Sequence, residues 1–210
     1  MNLKNNRTQI QSDSDLKSNN NLHEHLEKEW LSLACDGDEH AFHSIFNRYY
    51  PRVYRVAYGI VGQVPWIEDV VQDVFIRLHK SLSRYDMQRK FFTYLYRITV
   101  NVCFDYLKKE YPKRSDSIDN DFILKQLKSE DNPVNKIEMN DMKSKVNKLI
   151  QQLGEQQRAA FILRDIEGLS SDEVAKILKC RKTTVRSHLF HARKALRLMI
   201  QKEYPEFCEV

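Results

Sequence analysis

The chain has 210 residues, 41% of them hydrophobic and 30% charged, with five glycines, five prolines and a formal net charge of +5. That length admits one large core or two small ones, and so few glycines and prolines favour long helices over a turn-rich β architecture. Neither a secretory leader nor a membrane span is expected: no apolar run follows a basic start, and none approaches the roughly 18 residues a span needs.

Cys35, Cys103, Cys180 and Cys208 lie far apart, with no CxxC pair and no neighbouring pair of histidines. A zinc site and a disulfide framework are therefore not expected, and a reducing cytoplasm is. No metal, cofactor or catalytic residue is expected.

Residues 1–25 are rich in Asn, Ser, Gln, Asp and Lys. Such a segment buries too little apolar surface to offset chain entropy and is expected to be a disordered tail. Residues 26–110 carry helical periodicity almost throughout. A helix is expected over Pro65–Lys80, opening on a proline whose missing N–H costs nothing in a first turn. Val70, Val71, Val74, Phe75 and Leu78 project to one side as core, and Asp69, Gln72, Asp73 and Ile76 to the other. Acids there suit the helix dipole, while an isoleucine among them hints at a partner surface; spacing leaves both open. The next helix, Phe91–Lys109, turns Phe91, Phe92, Leu95, Ile98, Val102 and Tyr106 inward. Thr93, Tyr94, Arg97, Asn101, Phe104 and Lys108 share the other side. Rings, an amide and cations together suit unpaired nucleic acid, where bases stack and phosphates meet cations; a second packing surface would have the same composition.

Residues 111–139 are polar and locally acidic, with Pro112 and Pro133, and read as a linker with one short amphipathic turn around Phe122–Leu127. Helical periodicity returns over 140–204. Gly168 is a C-terminal stop for the run Arg158–Glu167. Ser170 and Glu173 form a capping box opening a short helix through Leu178. A turn over Lys179–Lys182 leads to a second helix from near Thr183. There Val185, Leu189, Ala192 and Leu196 make one apolar stripe, with Thr183, Ser187, Phe190, His191 and Lys194 opposite. From Lys176 to Lys202 nine residues are basic and none is acidic. A short helix, a tight turn and a basic helix with one buried face form a helix-turn-helix suited to the major groove. A helical hairpin with a solvated basic face is the competing reading, and it leaves the coincidence of box, turn and missing acids unexplained.

Glu68-Asp-Val-Val-Gln-Asp-Val-Phe75, Phe92-Thr-Tyr-Leu-Tyr-Arg-Ile-Thr-Val-Asn101 and Asp105-Tyr-Leu-Lys108 resemble region two of the extracytoplasmic-function (ECF) sigma factors. Gln156-Gln-Arg158, Leu163-Arg-Asp-Ile-Glu-Gly-Leu-Ser170, Glu173-Val-Ala175, Thr184-Val-Arg-Ser187 and Ala192-Arg-Lys194 resemble region four. The match spans roughly residues 30–204. It implies an all-α protein of two small helical domains, 26–110 and 140–204, joined by a flexible linker that threads toward the polymerase active channel.

By the same resemblance, Asp69, Gln72, Asp73 and Ile76 dock on the polymerase's largest subunit. The loop Arg84–Lys90 with Lys90, Tyr94, Arg97, Asn101 and Lys108 engages the promoter −10 element. Arg181, Lys182, Thr183, Thr184, Arg186, Ser187, Phe190, His191 and Lys194 engage the −35 element. The implied partners are RNA polymerase core enzyme and promoter DNA, with no small-molecule substrate; an anti-sigma factor often restrains activity in this family.

Four positions depart from the family pattern. Tyr94 replaces the usual Trp, Gly154 a common Pro, Lys179 the Gly of the turn, and Arg181 the Ser that caps the recognition helix. Two other functions compete. A stand-alone helix-turn-helix regulator leaves the Asp69 face and the aromatic–basic helix without a role. An enzyme holding a metal on Glu68, Asp69 and Asp73 suffers because Glu68 and Asp69 diverge on a helix and no His ligand accompanies them.

Overall fold

The computed structural model describes residues 26–115 and 137–205, and no strand occurs among them. After a first helix, α1, over 26–35 come α2 (Glu39–Val61), α3 (Ile67–Leu82) and α4 (Phe91–Ser115). Asp38 caps α2, its Oδ1 accepting from the Ala41 N–H at 2.7 Å, and Gly62, at φ +84, ends it. Ile45, Val53, Val56 and Ile60 line one face of α2 and are fully buried, as are Val70, Val74 and Leu78 of α3 and Leu95 and Val102 of α4. Each such side chain contributes about 1.5–3 kcal/mol by leaving water.

The start of α3 differs from expectation. It begins at Ile67, and Pro65 lies in the turn before it, where the Ile67 N–H donates to Val64 O at 3.3 Å. Proline's fixed φ suits the second position of such a turn better than it suits a first helical turn capped by Trp66, which supplies no side-chain acceptor.

The C-terminal half contains α5 (Ile137–Gln151) and α6 (Glu155–Phe161), which runs on as a wide π turn, Ile162–Ile166. Then come α7 (Ser171–Leu178) and α8 (Lys182–Glu203). Gly154, with no side chain to offer, stands at the start of α6. Gly168, at φ +74, ends the π turn and lets Leu169 N–H donate back to Leu163 O at 3.1 Å. The expected run Arg158–Glu167 is thus an α-helical turn followed by a π turn. Helix enters both ends of the expected linker, to Ser115 and from Ile137; the tail 1–25 and the turn around Phe122–Leu127 lie outside the described residues. Among those residues no helix is long and apolar enough to cross a membrane.

The two halves share a continuous core. Gly59 of α2 lies so close to Ile162 that a Cβ added there would sit 2.7 Å from its Cδ1. Beside this contact, Arg158 donates to Ile60 O (2.6 Å), Gln151 Oε1 (2.6 Å), Gln151 O (2.7 Å) and Leu153 O (2.9 Å), and Gln151 Nε2 donates to Gly59 O (2.9 Å). A buried guanidinium is costly unless partnered. Here it sits at the C-terminal ends of α2 and α5, where carbonyls lack helical partners and the dipole is negative.

That packing explains a second difference in α4. Tyr96, Thr99, Val100 and Cys103 are buried although the expected inward set did not include them, while Phe92, Ile98 and Tyr106 are only half-buried. The helix is covered on two sides. Thr99 tolerates this because its hydroxyl donates to Leu95 O at 3.0 Å.

Candidate polymerase and nucleic-acid interfaces

Three surfaces collect the expected site residues. On α3 the buried residues Val70, Val71, Val74, Phe75 and Leu78 hold the helix to the core. This orientation leaves Asp69, Gln72 and Ile76 exposed, with Asp73 half-buried beside them. Ile76 is 43% exposed, an apolar side chain among polar and acidic neighbours. Asp73 is engaged: Arg77 donates to it at 3.0 Å and to Asp105 of α4 at 2.8 Å, bridging the two helices. Among the described residues Asp69 has no such ion pair, so it is the freer charge of the face.

The second surface lies on α4 and the loop before it. The Tyr94 hydroxyl donates to Ser81 Oγ at 2.6 Å, and its ring packs 5.1 Å from that of Tyr85 and 5.6 Å from the Arg97 guanidinium. Ring and cation are therefore held together before any ligand arrives. Asn101 and Lys108 follow on the same side of α4, both exposed. Lys90 is placed differently. Its Nζ donates to Glu173 Oε1 of α7 at 2.8 Å and lies 5.5 Å from the Phe92 ring.

The third surface is the outer side of α8. Val185, Leu189, Ala192 and Leu196 are buried as the stripe requires. Arg181, Lys182, Thr183, Arg186, Ser187, Phe190, His191 and Lys194 are exposed, and Thr184 is half-buried. Phe190 keeps 63% of its surface open, its ring 5.4 Å from that of His191. The capping box is formed in full: Glu173 N–H donates to Ser170 Oγ at 3.3 Å, and Ser170 N–H to Glu173 Oε2 at 2.9 Å. The helix starts at Lys182, one residue before the expected position, with Arg181 as its N-cap and no side-chain cap bond. Lys182 Nζ donates to Asp172 Oδ2 at 2.7 Å. The turn keeps a left-handed residue although it is a lysine: Lys179 has φ 52 and ψ 43. The resulting helix-turn-helix presents one cationic face, the arrangement that meets the phosphates and base edges of a duplex.

Residues 45–111 match the family Sigma-70 region 2, and residues 143–196 match Sigma-70, region 4. The chain is 36% identical over 174 residues to the ECF RNA polymerase sigma-E factor of Escherichia coli, covering 79% of this chain and 89% of that one. The chain is an ECF sigma factor of the sigma-70 family. The RNA polymerase sigma-H factor of Pseudomonas aeruginosa is 30% identical over the same shares. Two solved structures share the fold. CnrH, in complex with the cytosolic domain of CnrY, has a TM-score of 0.62 at 20% identity, covering 84% of this chain and 98% of that one. The sigma factor RpoE of Bartonella quintana, in complex with the anti-sigma factor NepR, has 0.60 at 21%, covering 76% and 96%.

This sigma factor is accordingly a non-catalytic initiation factor that directs RNA polymerase to promoters through regions two and four. The regulator and enzyme alternatives are set aside. Sequence reasoning left three residues without a role. Arg164, Arg193 and Arg197 join Arg186, Phe190 and Lys194 around an open groove of about 540 Å³ on the DNA-reading half. Arg193 is held bidentately by Asp165 at 2.9 and 2.7 Å. Helical spacing from Arg186 to Arg193 and Arg197 could have signalled two of them; Arg164 comes from a different helix and had no such cue.

Proposed function

We propose that the three surfaces divide the work of this sigma factor. Asp69, Gln72, Asp73 and Ile76 dock on the polymerase core. Lys90, Tyr94, Arg97, Asn101 and Lys108 engage the −10 element. The outer side of α8, from Arg181 to Lys194, engages the −35 element. The corresponding units are residues 26–110 and 140–204, with the segment between them as tether, working in the cytoplasm beside polymerase and DNA. A protein anti-sigma partner belongs to the proposal, since the similar Bartonella quintana RpoE is in complex with one.

The observation that carries the docking assignment is the exposed Ile76 among carboxylates on a helix whose opposite side is fully committed to core. The cleanest probe is Asp69, because Asp73 is already tied to Arg77. Charge reversal at a central charged contact costs on the order of 2 kcal/mol, roughly thirtyfold in affinity. Asp69→Lys should weaken binding to core polymerase by that factor with unchanged helicity. Unchanged core affinity in a titration against labelled core removes the face from the proposal.

A further inference from the structure

Between Phe91 and Lys109 the sequence of α4 carries a single acid, Asp105. It lies four residues after Asn101 and three before Lys108, so it shares their side of the helix. Its side chain is 45% exposed. A bare carboxylate there opposes the work proposed for that side, because it repels the phosphates that Arg97 and Lys108 attract.

A cover for it comes from another helix. Arg77 of α3 donates from Nη1 to Asp105 Oδ2 at 2.8 Å and from Nη2 to Asp73 Oδ2 at 3.0 Å. One guanidinium thus serves two carboxylates, one beside Asp69 and Ile76 on α3 and one on the nucleic-acid side of α4. Arg77 is itself 40% exposed, and ion pairs so open to water add little to stability. Their charge still decides what each face presents to a partner.

We propose that Arg77 is a positioning residue for the −10 strand: it masks Asp105, so that the side of α4 bearing Tyr94, Asn101 and Lys108 accepts a phosphate backbone. The inference rests on the assignment of that side to the −10 element. Arg77 need touch no nucleotide to do this. The same guanidinium competes with cations of the polymerase for Asp73, so its removal acts differently on the two partners. Strand binding falls because Asp105 is unmasked, while core binding holds or rises because Asp73 is released. A merely structural link between α3 and α4 would weaken both.

Holoenzyme assembled from core polymerase and the full chain is titrated with fork-junction DNA, single-stranded and of mixed sequence across the −10 segment. Phosphate contacts are independent of sequence, so a mixed probe reads them. Arg77→Met should weaken fork binding about tenfold at low salt, and less at high salt, where exposed charges are screened. Its affinity for labelled core should be no lower than that of the wild type. Adding Asp105→Asn to Arg77→Met should return fork affinity to within about twofold of wild type. Asp105→Asn alone leaves Arg77 as an added cation, and should bind the fork about threefold more tightly and steepen the salt dependence by roughly 0.7. The proposal is overturned by an Arg77→Met variant that binds the fork like wild type, or by a loss that Asp105→Asn fails to repair. A fall in core affinity matching the fall in fork affinity overturns it too. Should circular dichroism show Arg77→Met to be unfolded, Asp105→Asn alone decides, and unchanged affinity and slope overturn the proposal. Lys108→Met tests the underlying assignment. If it leaves fork affinity and slope unchanged, this side of α4 is not the −10 surface. If it weakens fork binding while the Arg77 and Asp105 variants match wild type, only the role of Arg77 fails.

Discussion

Lys179 pays for the geometry of the turn. At φ 52 its Cβ crowds the backbone in a conformation that glycine takes freely, and glycine is what the family pattern places there. The turn keeps its path because it also satisfies helix-end carbonyls: the Lys179 and Cys180 N–H groups both donate to Ala175 O. Lys179→Gly should therefore stabilise the protein by about 0.5–1 kcal/mol, less than the full strain because unfolded glycine has more freedom to lose. Arg181→Ser should add about 0.5–2 kcal/mol by supplying the cap that α8 lacks. Urea midpoints at constant slope measure both, and a destabilised Lys179→Gly would mean the lysine side chain contributes more than the strain removes. The departures themselves were visible in the sequence. That the left-handed residue survives them was not, because a cost near 1 kcal/mol can be met by contacts that composition does not reveal.

Among the elements, α8 was the most legible and α4 the least, for the same reason. One side of α8 packs and the other meets solvent, so its apolar residues fall on a single stripe whose four members are all buried. α4 is covered from two directions, by its own domain and by the C-terminal half, so contrast around the helix is lost and Tyr96, Val100 and Cys103 could not be assigned. The exposed end of α8 carries a direct test. Lys182 and Asp172 are 44% and 63% exposed, and a surface pair of that kind is worth under about 1 kcal/mol. A backbone phosphate at the start of α8, where free N–H groups add positive charge, should draw Lys182 away. Affinity of the holoenzyme for promoter DNA, followed against salt, should then lose about one unit of slope in Lys182→Ala and weaken for all sequences alike. Arg186→Ala should instead relax preference at one or two base pairs of the −35 element. An unchanged slope for Lys182→Ala leaves the lysine on Asp172.

Across the whole molecule, the contact between the halves makes stability depend on acid. Lys90, together with the Ser170 N–H, holds the Glu173 carboxyl down to about 2, against an ordinary value of 4.5. A carboxylate depressed in the folded state adds stability that is complete above the unfolded value and is lost as the pH falls from 4.5 toward 2. Glu173→Gln keeps an acceptor for the capping box but loses the charge. The gap in Tm between wild type and Glu173→Gln should be widest near neutral pH and narrow below pH ~4.5. A gap that stays constant from pH 6 to pH 3 would show that the Lys90 contact does not form in solution.

The helical character of both halves, the capping box, the Gly168 stop and the recognition stripe were legible in the linear chain, because each depends on neighbours within about four residues, while several helix boundaries were not. The family followed from motifs of that local kind. The packing of one half on the other was decided only in three dimensions. Gly59, Arg158, Gln151 and Glu167 carry it, and Arg55 and Glu167 are 112 positions apart. Nothing in the periodicity around Gly59 marks it as a contact, and Arg158 in the sequence is simply a charged residue near a helix start. Its role emerges only where the ends of α2 and α5 converge and leave their carbonyls facing one guanidinium.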